Sequence, residues 1–168
     1  LGGADLIVLP AFRRSEQHVL HYNAGFPLTS DDLSKAKSLE VRLSSDTPAA
    51  ALQWLVGGYY YKEDLTFSLK PNQGVAFGDT NPILDTRSLA AFGQLTYSIT
   101  DALRVTGGIR YTNEKKNQAG RLGARVPPAD PNGMLIYFPL SGSPKFENVT
   151  FKAGVEYDPR PGSLLYAD

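Results

Sequence analysis

The chain has 168 residues, 17 basic and 17 acidic side chains, and no cysteine. The balanced charge excludes recruitment to nucleic acid or to an anionic membrane by net charge alone, and the missing cysteines exclude a disulfide framework and thiolate-bound metals. No apolar run approaches the roughly 20 residues that a membrane-spanning helix requires. The length suits one domain of ordinary size.

Seven strand-like stretches follow one another, at about 4–13, 36–45, 52–63, 86–98, 103–114, 146–158 and 163–168. The clearest alternation runs from Leu103 to Thr112, where Leu, Val, Gly, Ile and Tyr at odd positions alternate with Arg, Thr and Gly at even positions. Because successive side chains of a strand point to opposite faces, this segment has an apolar face and a polar face. The stretches 86–98 and 146–158 alternate in the same way. The pattern predicts an all-β, antiparallel up-and-down meander.

The connections between these stretches alternate in length. Those at 14–35, 64–85 and 115–145 are long, and those at 46–51, 99–102 and 159–162 are short. Alternate connections of a meander lie at the same end of the sheet, so the long loops are predicted at one end and the tight turns at the other. Outer-membrane barrels have this asymmetry, whereas connections beyond roughly 12–15 residues are uncommon in compact soluble domains.

Strand length and tyrosine placement favour the same architecture. A stretch of 13 residues tilted by about 40° covers roughly 33 Å of height, enough for the apolar band of a membrane barrel. On the apolar faces, Tyr97 and Tyr157 fall next to the short turns, while Tyr60 and Tyr111 fall near the long loops. Two aromatic levels of this kind are expected at the two membrane interfaces. A soluble β-sandwich is the alternative, with its apolar face covered by a second sheet.

Five segments resemble, in order and spacing, the barrel domain of TonB-dependent outer-membrane receptors. They are Ser38–Ser45, Trp54–Tyr61, Phe92–Tyr97, Thr106–Thr112 and Lys152–Tyr157. The resemblance implies a transmembrane β-barrel of 22 strands, of which this chain supplies about seven. It further implies the outer membrane of a Gram-negative bacterium, a plug domain, the energy-coupling protein TonB, and import of a siderophore–iron complex, cobalamin or a carbohydrate.

Several parts of that family's pattern are not found in this sequence. We find no plug-like segment, no TonB-contacting box, no signal peptide and no C-terminal strand ending in an aromatic residue. We therefore expect residues 1–168 to be an interior piece of the barrel domain. A passive porin-like barrel and a soluble carbohydrate-binding sandwich remain as alternatives to the receptor.

No enzyme motif or cofactor-binding pattern is found, and neither nucleic acid nor a resident cofactor is expected. On the barrel interpretation, six charged side chains project into the lumen as candidates for ligand contact, plug contact or simple hydration: Glu40, Arg42, Arg104, Arg110, Lys152 and Glu156. His18 and His21, with Glu16 and Asp31, raise the idea of a metal site, but an ordinary polar loop is the favoured interpretation. The apolar segment Met134–Leu140 is expected in the longest loop, over the barrel mouth or against a neighbouring loop.

Overall fold

The computed structural model describes residues 3–23, 26–47, 50–71, 78–126, 132–160 and 162–167, and it contains strands and turns there. None of the described residues forms a helix that could cross a membrane. The strands are β1 (Ala4–Asn23), β2 (Phe26–Ser45), β3 (Leu52–Pro71), β4 (Gly78–Thr80), β5 (Ile83–Thr100), β6 (Leu103–Val126), β7 (Met134–Gly142), β8 (Lys145–Arg160) and β9 (Ser163–Ala167).

The nine described strands form one antiparallel sheet and occupy seven positions in it. Strands β4 and β5 share the position between β3 and β6, because both pair with these two neighbours. Strands β7 and β8 likewise share the position beside β6. Each of the seven predicted strands is therefore present, and the predicted meander with nearest-neighbour pairing is confirmed.

The predicted long loops are wrong over most of their length. Within 14–35, strands β1 and β2 stay paired out to Asn23 and Phe26, and within 64–85 strand β3 continues to Pro71. The apolar segment at Met134–Leu140 is not a lid, because it lies in β7 and pairs with the far half of β6. Backbone pairing extends the sheet through segments whose apolar side chains do not continue the exposed apolar face. Leu65, Phe67 and Leu69 of β3, for example, alternate on the polar-face side.

The described short turns have local hydrogen bonds and a glycine that explain their tightness. Between β5 and β6, the Thr100 hydroxyl accepts hydrogen bonds from the backbone N–H groups of Ala102 and Leu103, at 3.2 and 3.1 Å. Between β8 and β9, Gly162 has a φ of 84°, which other residues adopt only with strain. These turns fix the register of the strands that they join.

Where the chain is interrupted between β4 and β5, its backbone comes close to the backbone of β6. At Gly120 of β6, an added Cβ would lie 2.3 Å from the carbonyl oxygen of Asn81, so only glycine fits there. The interrupted segment keeps its ladder, since the Asn81 N–H donates to the Arg121 carbonyl and the Phe67 N–H donates to the Pro82 carbonyl, both at 3.1 Å. The sheet therefore continues across the break.

The apolar face of the sheet is exposed, and the polar face is shielded in the central strands. On β5, Leu89 is 63% exposed and Leu95 is 55% exposed, whereas their opposite-face neighbours Ser88 and Ala90 are 8% and 3% exposed. Ala90 is the one buried apolar residue in the described part of the chain, and no second sheet covers the apolar face there. This arrangement contradicts the sandwich alternative, which requires a packed apolar core between two sheets.

Register places the apolar side chains in rows across the sheet. One row runs through Leu43, Val56, Gly93, Ile109 and Phe151, and the next through Val41, Gly58, Ala91, Tyr111 and Val149. No charged side chain occurs in either row. Such a continuous band has the composition that lipid-facing barrel strands require.

We predict that Phe151→Arg destabilises the intact protein in lipid vesicles by about 2–4 kcal/mol, because this substitution puts a charge at the centre of the apolar band. Thr150→Arg is the matched control, since Thr150 neighbours Phe151 in β8 and lies on the polar face. Denaturant unfolding of both variants gives the free energies. Equal costs for the two variants would contradict the assignment of the faces.

Candidate functional site

The polar face carries the candidate site, and its centre is a row of paired residues opposite the apolar band. In this row, Arg42 of β2 lies beside Gly57 of β3, which is followed by Phe92 of β5 and Arg110 of β6. An added Cβ at Gly57 would lie 2.5 Å from the Phe92 ring. Glycine at this position therefore lets the ring lie flat across β3.

The guanidinium group of Arg110 lies over two aromatic rings. Its central carbon is 5.5 Å from the centre of the Phe92 ring and 5.7 Å from that of Tyr59. Both distances are within the range of cation–π attraction. The Arg110 Nε atom also donates a hydrogen bond to the Thr112 hydroxyl at 3.2 Å. These contacts hold a cationic and aromatic surface in place. We call it the lumen patch and define it as Arg42, Tyr59, Phe92, Arg110 and Lys152.

A cavity of about 300 Å³ opens at the lumen patch. Arg42, Phe92, Arg110 and Lys152 line it, together with Gln94. The carboxylate nearest in sequence, Glu40, accepts a hydrogen bond from Arg42. The lining thus combines three cations with one aromatic ring, a set that suits anionic groups and flat or apolar groups.

Nearer the short turns, the polar face is cross-linked by an ion-pair network. Arg104 of β6 donates to Glu156 and to Asp158 of β8, each at 3.0 Å. The hydroxyl groups of Thr96 and Thr106 are 3.0 Å apart in the adjacent strand pair. Because these groups satisfy one another, this region is a structural clamp between strands.

Comparisons with known proteins agree with this architecture. The family model described as TonB dependent receptor-like, beta-barrel matches residues 10–168. The chain belongs to this family. Among solved structures, the chain is similar to the ferric yersiniabactin uptake receptor FyuA from Yersinia pestis, with a TM-score of 0.85 and 13% identity. That match covers 99% of this chain and 25% of the receptor chain, so the chain spans about a quarter of the receptor's length. No curated protein sequence matches the chain.

All six charged lumen candidates lie on the polar face of this receptor-family sheet, in two groups. Arg42, Arg110 and Lys152 line the cavity, with Glu40 bonded to Arg42, while Arg104 and Glu156 belong to the ion-pair network. Their role in ligand contact stays a prediction.

The four predicted interface tyrosines, Tyr60, Tyr97, Tyr111 and Tyr157, lie on the exposed apolar face. Their placement at lipid headgroups stays a prediction as well.

Sequence reasoning missed the two aromatic members of the lumen patch. Tyr59 lies next to Tyr60 and Tyr61, and Phe92 lies in an apolar run from Leu89 to Phe92. Both occupy positions whose side chains, by the alternation of a strand, point to the polar face. This alternation is the sequence signal that identifies them. The glycine opposite Phe92 becomes informative only once the register of β3 and β5 is known.

The residues considered for a metal site do not converge. His18 and His21 are three apart in β1, so they point to opposite faces, and His18 instead contacts Asp31 in the paired strand. Glu16 pairs with Arg14 at 3.1 Å. In the described part of the chain, no three His, Cys, Asp or Glu side chains come close enough to hold a metal ion.

Beyond the apolar band, Glu63 ties three strands together on the polar face. It accepts hydrogen bonds from Ser34 at 2.6 Å and from Arg13 at 3.3 Å. The Ser34 hydrogen bond is the largest cause that lowers the pKa of Glu63 from its ordinary value of 4.5, with burial opposing it and Tyr61 and Arg13 assisting. The carboxylate therefore stabilises this part of the sheet above pH 4.5, and the contribution is lost as pH falls through the lowered pKa.

Proposed function

We propose that this chain forms part of the wall of an outer-membrane receptor that imports a scarce ligand with energy relayed by TonB. The ligand classes are those of the family: a siderophore–iron complex, cobalamin or a carbohydrate. The observation that carries the proposal is the exposed apolar face of the sheet, opposite a polar face that is shielded in the central strands, in a chain of this family. In lipid, an apolar exterior and a polar interior are what a barrel wall requires.

The sheet needs further strands to close. Within the described residues, β1 and β9 each pair on one side, which leaves two open edges. An unpaired backbone group in hydrocarbon costs several kcal/mol, and the smallest bacterial barrels have eight strands. We therefore propose that these seven strand positions are one part of a larger barrel. In that barrel, a plug domain outside this chain fills the lumen.

The two ends of the sheet indicate its orientation. The described short turns lie at one end, whereas β3 and β6 extend 20 and 24 residues toward the other. At about 3.3 Å per residue, these strands exceed the apolar band even when tilted. We propose that the short turns face the periplasm and that the extended hairpins stand outside the cell, where they take part in ligand capture. The four exposed tyrosines then lie at the two interfaces.

The lumen patch is proposed as a contact surface for the ligand on its way through the barrel. Its three cations attract anionic groups, and the Arg110, Tyr59 and Phe92 stack offers a surface for rings. The patch lies at the depth of the apolar band, since Arg110 follows Ile109 in the same strand. This depth is inside the barrel and beyond the extracellular hairpins.

We predict that deleting TonB abolishes ligand uptake through the full-length receptor while ligand binding at the cell surface is retained. Cells that express the receptor are given each candidate ligand in labelled form, with and without TonB. Uptake that continues at the same rate without TonB would identify a passive porin-like barrel and overturn the proposal. The labelled compound that enters the cells, whether a siderophore–iron complex, cobalamin or a carbohydrate, would identify the ligand class.

We predict that Arg110→Ala lowers uptake of an anionic ligand by about 5- to 30-fold, which corresponds to losing about 1–2 kcal/mol of cation–π and charge attraction. Arg110→Lys should retain part of the activity because it keeps the charge. Lys116→Gln is the control, since Lys116 lies further along β6 and bonds to Glu114 at 3.1 Å. If Arg110→Ala leaves uptake unchanged, the lumen patch does not contact the ligand.

A further inference from the structure

A second cavity lies on the polar face beside the lumen patch, on the side of the short turns. Its volume is about 290 Å³, close to the 300 Å³ of the cavity at the lumen patch. We call it the lower cavity and define it by Gln94, Thr96, Thr106, Lys152 and Gly154, which line it. Because Gln94 and Lys152 line both cavities, the two are continuous along the polar face.

Strand register orders the groups along this continuous space. On the polar face of β6, Arg110, Gly108 and Thr106 follow one another at steps of two residues toward the short turn. Lys152 of β8 pairs with the middle one of these, Gly108. A step of two residues along a strand spans about 6.6 Å. Lys152 therefore stands at the junction, one step from the level of Arg110 and one step from the level of Thr106.

Lys152 differs from the neighbouring cations because it is not held by the sheet. Arg110 contacts the Phe92 ring and the Thr112 hydroxyl, and Arg104 donates to two carboxylates. Within the described part of the chain, Lys152 has no hydrogen bond, ion pair or ring contact. An ammonium group carries three N–H donors on a flexible four-carbon stem. These donors are available to an anion that enters the barrel.

Two glycines leave space around the Lys152 side chain. Gly108 is its partner across the strand pair, and Gly154 follows it on the same face of β8. An added Cβ at Gly108 would lie 3.3 Å from the carbonyl oxygen of Gly93 and 3.7 Å from the side chain of Gln94, so a larger residue would crowd the space between the cavities. The Lys152 ammonium group can therefore reach into either cavity.

The lower cavity adds amide and hydroxyl groups to the cations and ring of the lumen patch. Gln94 contributes an amide, and the hydroxyl oxygens of Thr96 and Thr106 lie 3.0 Å apart. One hydroxyl group donates within this pair, so the proton of the other is free to bind an oxygen atom of a ligand. Glu156 also lines the cavity, but Arg104 donates to its carboxylate at 3.0 Å and offsets the negative charge.

We propose that the lower cavity is a second binding site for the imported ligand, and that Lys152 guides the ligand's anionic group to it from the lumen patch. The inference rests on the proposed function, which makes the polar face the lining of the lumen and the short turns its periplasmic end. The ligand class that fits is an anion with additional hydroxyl or carbonyl oxygens, such as an iron complex of a hydroxycarboxylate. The cations take the charge, and the amide and hydroxyl groups take the oxygens.

The test measures uptake of radioactive iron by cells that express the full-length receptor and lack other receptors for the probes. The anionic probe is ferric citrate, and the neutral probe is ferrichrome, an uncharged ferric hydroxamate. Lys152→Met should lower ferric citrate uptake about 10-fold, the loss expected for one hydrogen bond to a charged group. Binding of ferric citrate to cells without TonB should be retained, because the extracellular hairpins act first. Lys152→Arg should restore most of the uptake.

Two matched controls separate the site from general effects on the sheet. Lys35→Met removes the same charge from the exposed-face side of β2 and should leave uptake unchanged. Gly154→Val puts a branched side chain into the lower cavity without a change of charge and should also lower uptake. Its control is Ala153→Val, one residue away in β8 on the apolar face. Valine is well tolerated in strands, so both substitutions suit the backbone.

Each remaining outcome counts for or against the inference. Unchanged ferric citrate uptake in Lys152→Met and Gly154→Val, or equal losses in Gly154→Val and Ala153→Val, would overturn it. If these variants do not assemble in the membrane, Lys152→Cys gives a second measurement: ferric citrate, and not ferrichrome, should slow its labelling by a water-soluble maleimide. Absence of ferric citrate uptake by the wild type would overturn the inference. TonB-dependent uptake of ferrichrome in that case would leave the proposed function standing.

Discussion

The whole structure depends on one constraint: inside a membrane, every backbone N–H and C=O group must find a partner within the protein. An extended sheet meets that constraint only when its strands are paired without interruption and its edges are closed. The paired rows of the apolar band satisfy the first condition from β2 to β8. The second condition is why we propose additional strands beyond this chain.

Once the backbone is paired, the two faces of the sheet are free to serve different solvents. On the proposed function, the exposed face of aliphatic and aromatic residues meets lipid, and its stability comes from the membrane and not from a packed interior. The other face gathers the cations, hydroxyl groups and carboxylates, which bond to one another as in the network of Arg104, Glu156 and Asp158. A polar lumen with a cationic and aromatic centre, the lumen patch, is the functional consequence.

The sequence predicts the sheet, its meander and its two faces because strict alternation at 103–112 and 146–158 reflects two unlike solvents. It does not predict the length of the strands. Beyond Lys62, the apolar side chains Leu65, Phe67 and Leu69 of β3 fall on the polar-face side, so the pattern that marks the shorter strands does not continue into the extended hairpins. The lumen patch is predicted in part. The alternation of the strands assigns charged residues such as Arg110 to the polar face, whereas Phe92 joins the patch through the register that brings its ring over Gly57. Ligand identity depends on geometry that a sequence pattern does not encode.

The assignment of the two faces is tested most directly by spin-label accessibility in the full-length receptor reconstituted in lipid. Labels at Leu95, Val105, Ile109, Phe151 and Val155 should be relaxed by oxygen dissolved in the bilayer. Labels at Arg104, Arg110, Lys152 and Glu156 should instead respond to a water-soluble quencher, because adjacent positions of a strand face opposite solvents. Oxygen accessibility at the second set and quencher accessibility at the first would contradict the barrel wall.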